Sequence, residues 1–329
     1  MRTPSFKHLV LVFFTAAIFL AGCQKEEYKI PDPVSDLTND ALKRSLGPNI
    51  VSQTIEFAYA MALPKEKGKL VLAEVEASIA GATGTFLQNN SFTTGGAGQD
   101  VPVLVGEPSV NKDNRTSVTF NVDTNAATLR YFYVIPEAAR GKTVSFTFSA
   151  TASNGSKVTY KLGPYNISKM DIKRLIAVSN NNNAYISIED MAVYNATSAV
   201  AVAGKIDLVY LFRTTPSAFL HGLVSPAADP IYLPGVTLPA GVNRSSKVRR
   251  EFGVQDRNLA NLQFGIYVDD RDFQEIQLAN SPNYAIGLRA EASTWVETAD
   301  GKYRAYIYVN AVSTASGGSA VISILRYAL

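Results

Sequence analysis

The residues able to do chemistry are few. Cys23 is the single cysteine, and His8 and His221 are the two histidines, among 329 residues. Once Cys23 is lipidated and His8 removed, as the N-terminal segment implies below, Cys/His zinc sites, cysteine nucleophiles and thiol redox centres have nothing to use. A Ser-His-Asp arrangement would have to run through His221. It lies in Phe219-Leu220-His221-Gly222-Leu223, with no nucleophile elbow nearby, so a packed histidine is expected. Gly141-Lys142-Thr143 ends like a phosphate loop, but Pro136 stands where the first glycine is required. Gly95-Gly96-Ala97-Gly98 lacks the third spaced glycine of a dinucleotide turn and reads as a loop. Glu74 and Glu76 share a strand face with Cα atoms roughly 7 Å apart, inside the span of about 5–9.5 Å used by glycosidase carboxyl pairs. Alternate acids are equally what a solvent-facing strand shows, so no catalytic residue and no cofactor are expected. Asp269-Asp270-Arg271-Asp272 is oxygen-rich enough for Ca²⁺ but lacks the glycine and distal glutamate of an EF-hand loop. It reads as a charged loop, with Ca²⁺ left open.

Binding chemistry is better represented. Asp300-Gly301 is a hairpin turn signal, and the alternation around it sets cross-strand positions whose numbers sum to 601. Trp295 then opposes Tyr306, Ser293 opposes Tyr308, and Glu297 opposes Arg304. One face carries Trp295, Tyr306, Tyr308, Arg304 and Glu297, while Val296, Tyr303, Ala305, Ile307 and Val309 form a core face. Aromatic rings flanked by an ion pair suit a sugar-binding platform. Packing of another segment on the same face is the alternative, because aromatics also dominate cores. Lys247, Arg249 and Arg250, with Arg244 and Arg257 nearby, form a basic cluster that could contact a polyanion.

The N-terminus gives the address. Arg2 and Lys7 precede the apolar run Leu9 to Leu20, which is too short to span a hydrocarbon core of about 30 Å. Leu20-Ala21-Gly22-Cys23 resembles the bacterial lipobox, whose cysteine is lipidated after cleavage. Gln24-Lys25-Glu26-Glu27 is similar to the signal that sends Bacteroidetes lipoproteins to the outer face of the outer membrane. Removing residues 1–22 leaves 29 basic against 28 acidic side chains, so charge offers no case for nucleic acid. Residues 23–50 are expected to be lipidated cysteine, tether and a short helix at Asn39 to Leu46.

The elements holding these residues are strands. Hydrophobic residues make up 47% of the chain and charged residues 18%, which excludes a disordered chain and suits two domains. Val71 to Ile79 and Thr143 to Ala150 alternate with period two, and Asn154-Gly155 supplies a turn. The expectation is all-β: two consecutive antiparallel β-sandwich (Ig-like) domains at 51–170 and 171–329. Strands are also expected at Ser198 to Ala203 and Phe264 to Val268. A long, largely irregular insertion is expected near 214–262.

Leu46 to Ile50, Ile55 to Met61, Lys205 to Tyr210 and the Ser319-to-Leu325 strand, together with the lipobox, resemble a family of two-domain, β-rich surface lipoproteins of gut Bacteroidetes with no assigned activity. The resemblance implies an outer-membrane lipoprotein, held to the membrane by its N-terminal lipid, and brings no catalytic residues. By analogy with neighbouring lipoprotein families, it is expected to be a non-enzymatic glycan binder working beside other outer-membrane uptake proteins. A structural or adhesive, fimbrillin-like subunit is the alternative.

Overall fold

The computed structural model describes residues 35–180, 182–260 and 265–329. Cys23, the signal segment and the first part of the tether lie outside them. The N-terminal domain contains β1 (Thr38–Lys43), β2 (Thr54–Ala62), β3 (Leu70–Ala77), β4 (Phe86–Leu87), β5 (Asn90–Thr94) and β6 (Asp100–Leu104). It continues with β7 (Val110–Lys112), β8 (Arg115–Thr119), β9 (Ala126–Val134), β10 (Thr143–Ala152) and β11 (Lys157–Asn166). Antiparallel pairing orders them as β1-β2-β9-β4 and β11-β10-β3-β8-β7, with β5-β6 a separate hairpin.

Alternation explains how the two sheets meet. Ile55, Phe57, Tyr59 and Met61 of β2 point inward, as do Leu129, Tyr131 and Tyr133 of β9 and Val144, Phe146 and Phe148 of β10. The rings interlock: Phe57 lies 4.7 Å from Phe146, and Tyr133 meets Phe146 edge-on at 5.0 Å. Ala73, Val75 and Ala77 of β3 also face the core, but Val71 is exposed because a bulge opposite Thr151 and Ala152 turns Leu70 inward instead.

The helix expected at Asn39 to Leu46 is absent, and β1 occupies its place. Thr38 to Lys43 pair with Ala62 to Phe57 of β2, burying Leu37 and Ala41. So short a helix would be marginal in water, and a sheet edge beside it decides the matter.

The C-terminal domain contains β12 (Met170–Ser179), β13 (Tyr185–Ser187), β14 (Ala192–Tyr194), α1 (Ala196–Ala199), β15 (Ile206–Arg213), β16 (Leu220–Val224) and β17 (Lys247–Phe252). After α2 (Arg257–Ala260) and α3 (Asp270–Glu275) come β18 (Tyr284–Leu288), β19 (Ala292–Glu297), β20 (Tyr303–Ser313) and β21 (Ser319–Ala328). One sheet runs β12-β21-β20-β19-β17 and the other β14-β13-β15-β16-β18. The architecture is thus all-β and sandwich-like in both halves, as expected. Asp36–Leu329 form a single compact unit.

Two sequence expectations are corrected in this domain and a third is refined. Ser198 to Ala203 is helical, because Asn195 and Ser198 exchange hydrogen bonds as a capping box and start a turn that runs on as 3₁₀ helix to Lys205. The 214–262 stretch is largely irregular among its described residues, but β16 and β17 interrupt it. Gly265 to Val268 forms no strand, only a bridge between Asp256 and Ile266, while Phe264 falls outside the described residues.

Besides apolar contacts, a buried charge cluster joins the two sheets. Asp207 of β15 is fully buried and accepts from Ile188 N–H at 3.0 Å and Ser246 Oγ at 2.9 Å. Arg244 bridges it at 3.2 Å to Asp300, 2.6 Å away in the β19–β20 turn. Burial pushes the Asp207 carboxyl up to about 6, although these partners favour its ionised form. The folded chain therefore takes up a proton between about pH 6 and 4 that the unfolded chain does not, so this group's contribution to stability falls as pH rises through that window. Wild type is expected to exceed Asp207→Asn in thermal unfolding temperature by more at pH 4 than at pH 7. Parallel profiles would show that the carboxyl titrates normally.

Candidate functional site

The β19–β20 hairpin has the expected register. Ser293 pairs with Tyr308, Trp295 with Tyr306 and Glu297 with Arg304. The structure brings all five expected platform residues onto one face, then covers that face. Trp295 is 5% exposed, Tyr306 0% and Tyr308 3%. Over them lie Leu259 of α2, Val268, and Phe273 of α3, with Leu278 completing the cluster. Phe273 meets the Trp295 ring edge-on at 5.2 Å and stacks on Tyr327 at 5.5 Å. Trp295 Nε1 donates to Glu251 Oε2 at 2.7 Å, and Tyr306 Oη donates to the Val254 carbonyl at 2.7 Å. Burial raises the Tyr306 hydroxyl far above the usual phenol range. Arg304 pairs with Glu297 at 2.8 Å and donates to the Phe273 carbonyl at 2.6 Å. The platform expectation is therefore corrected: Trp295, Tyr306 and Tyr308 are the seat of the 253–260 and 265–278 stretches and offer no open ring face, with Glu297 and Arg304 half-buried at the margin.

The other candidates are dispersed or neutralised. Lys247 and Arg249 stand on the covered side of β17, where Arg249 pairs with Glu251 at 3.5 Å, while Arg250 projects from the opposite side. Arg244 is buried between Asp207 and Asp300, and Arg257 lies over the Tyr267 ring at 5.1 Å. The basic residues therefore form no single patch, because strand alternation divides them. Glu74 and Glu76 share Arg115, at 3.6 and 2.8 Å. Asp269 caps α3 by accepting from the Arg271 and Asp272 amides, and no cluster of metal-ligating side chains occurs among the described residues. His221 is buried, with Nδ1 2.7 Å from Tyr210 Oη. Among the described residues no helix is long and apolar enough to cross a membrane.

A different site lies where the domains meet. Pro48, Asn49, Gly141, Lys142, Thr143, Asn166 and Ile167 of the first domain face Asp269, Asp270, Arg271, Gln274 and Tyr327 of the second across a cleft of about 810 Å³, with Ser168 and Lys169 between. Strong local bonds hold its walls. Asp270 accepts from Ser168 Oγ and, at 3.0 Å, from the Lys169 amide. Asn49 Nδ2 donates to the Asn166 carbonyl at 2.8 Å, and Gln274 Nε2 to Tyr327 Oη at 3.0 Å. Arg140 reaches from the first domain to Asp171 at 2.7 Å, and Asp171 also pairs with Arg326. Ile50 completes the apolar cluster under the cover segment. Lys142 and Lys169 are exposed and pair with no acid among the described residues. The cleft thus presents amides, ammonium groups, a guanidinium and carboxylates on a rigid frame, with its Ser168 hydroxyl tied to Asp270. Its residues come from five separated segments, so no motif announces it. The one sequence signal is the composition break at Ser168, with the Gly141 turn opposite.

Two β-sandwich domains enclosing a polar cleft define the class. A family model described as Domain of unknown function (DUF4466) matches residues 34–167, and one described as Domain of unknown function (DUF8576) matches residues 168–329. A crystal structure of a DUF4466 family protein from Parabacteroides merdae ATCC 43184 is 47% identical over 90% of this chain and 100% of that one, with a TM-score of 0.84. The chain belongs to the DUF4466 family. A C-terminal fragment of the major pilin GBS80 of Streptococcus agalactiae aligns at 14% identity over 46% of this chain and 64% of its own, with a TM-score of 0.27, too remote to describe either fold or role. No curated protein matches the chain.

Removing the Trp295 side chain should empty the seat of the cover segment. Trp295→Ala is expected to cost about 3–5 kcal/mol by denaturant unfolding. Tyr306→Phe, which leaves only the Val254 carbonyl unpaired, should cost about 1–3 kcal/mol. An unchanged unfolding curve for Trp295→Ala would identify an open face.

Proposed function

We propose that this is a non-catalytic, lipid-anchored surface protein of the outer membrane, and that it captures glycan in the cleft between its two domains in support of polysaccharide uptake. The cleft is the observation that carries this reading. Ligand sites favour domain interfaces, with a few polar groups that fix orientation. Sugar hydroxyls each donate and accept, and Asn49, Asn166 and Gln274 offer amides that do both. Lys142 and Lys169 add cationic donors with no competing acid. The acids in the wall already serve the fold, Asp269 as a helix cap and Asp270 as the tie to Ser168, which supports binding over hydrolysis. The lipobox-like Leu20-Ala21-Gly22-Cys23 supports the anchor.

Glycan-array and calorimetric binding with the full chain in detergent test the reading. A polysaccharide fragment should bind, and Lys142→Ala should weaken it roughly tenfold, about 1.4 kcal/mol, without changing the unfolding temperature. Absence of binding to any sugar, with heat-resistant ladders of the protein on gels, would point to the adhesive subunit instead. For the anchor, labelled palmitate should enter the wild-type chain and not Cys23→Ser. Label in both would place the lipid elsewhere.

A further inference from the structure

The C-terminal sandwich opens between β17 and β18, the last strands of its two sheets. Arg250 and Phe252 alternate with Val248, which enters the inter-sheet core, so all three project toward that opening. Arg250 spans it, its Nη1 donating to the Ile286 carbonyl of β18. Gly287 makes this possible. Its φ is +70°, and a Cβ there would lie 3.0 Å from Arg250 Nη1 and 3.2 Å from the Ala218 carbonyl. Just beyond β18 comes Arg289. The guanidinium carbons of Arg250 and Arg289 lie 4.7 and 5.2 Å from the centre of the same Phe252 ring, so they stand no farther apart than those two distances together. Phe252 is 43% exposed, and both arginines are exposed.

Two like charges held this close repel each other. Neither arginine belongs to an ion pair among the described residues, and Glu251, next to Arg250 in sequence, is occupied by Trp295 Nε1 and Arg249. The negative face of the phenyl ring offsets part of the repulsion but supplies no hydrogen-bond acceptor. One guanidinium tied to a carbonyl, and both held over one exposed ring, keep the two forks close to that ring, where an anionic polymer can accept from either. Guanidinium forks match the oxygens of sulfate and phosphate. The site is open to solvent at a strand edge, with room for a group carried on a polymer.

We propose that Arg250 and Arg289 form a binding site for the sulfate ester of a polysaccharide, separate from the interdomain cleft and independent of it. The test is binding of the full chain in detergent to a heparin-type polysaccharide and to its chemically desulfated form. The sulfated polymer should bind at least roughly tenfold more tightly, and added salt should weaken it. Arg289→Gln, which breaks only a ring contact, should lower that affinity roughly tenfold, as should Arg250→Gln. Lys65→Gln with Lys67→Gln, two exposed lysines of the other domain, should leave it unchanged. Equal binding of both polymers overturns the proposal. So does an unchanged Arg289→Gln, or an equal loss from the distant lysine pair. Vesicles bearing phosphate headgroups that bind through the same arginines, where the sulfated polymer does not, also overturn it.

Discussion

The molecule depends on a single contact, the seating of the 253–278 segment on the outer face of β19, β20 and β21. That face carries Trp295, Tyr306 and Tyr308, and the segment presses Phe273 and Leu259 onto it. Fixing the segment also fixes what extends from it. Asp270 reaches Ser168 and Lys169, and the Tyr267 ring lies where a side chain on Gly47 would have to go, within 2.5 Å. The aromatic face thus sets the angle between the domains indirectly, through a short strap of loop and helix. Ile50 and Met170, one from each side of the boundary, join the same cluster.

The cleft is a by-product of this junction. Its walls are segment ends, held by bonds that would exist whether or not anything bound there. A recognition site built on such a frame is rigid at little entropic cost, since the ordering was done in folding. The contrast with the Asp207–Arg244–Asp300 cluster is instructive. There the charges are buried and consumed by one another, and their effect is on stability. Lys142 and Lys169 at the cleft, and Arg250 and Arg289 at the β17–β18 opening, are exposed with no ion-pair partner among the described residues, and they stay available to what approaches.

Much of this was legible in the sequence. Period-two alternation gave the strands of both sandwiches, and Asp300-Gly301 fixed the β19–β20 register, because a short turn between alternating strands leaves few pairings. The fate of the hairpin's outer face was not legible. Alternation distinguishes two faces, but whether the second meets water or another segment depends on contacts across 20 or more residues, here with Phe273 and Leu259. β1 was misread for a related reason: Asn39 to Leu46 has weak helical character, and pairing with β2 outweighs it. Ser198 to Ala203 failed in the other direction, through the local cap at Asn195. The interdomain cleft and the Arg250–Phe252–Arg289 stack bring together residues from separate elements, with no spacing rule to link them.

The strand order of the C-terminal domain also constrains how it comes into being. Its first strand, β12, hydrogen-bonds within the sheet only to β21, its last. The sheet therefore stays open at that edge until β21 has been made, whereas the N-terminal domain has all its strands by Asn166. A nascent chain thus carries one finished module ahead of another whose first strand must wait for its last.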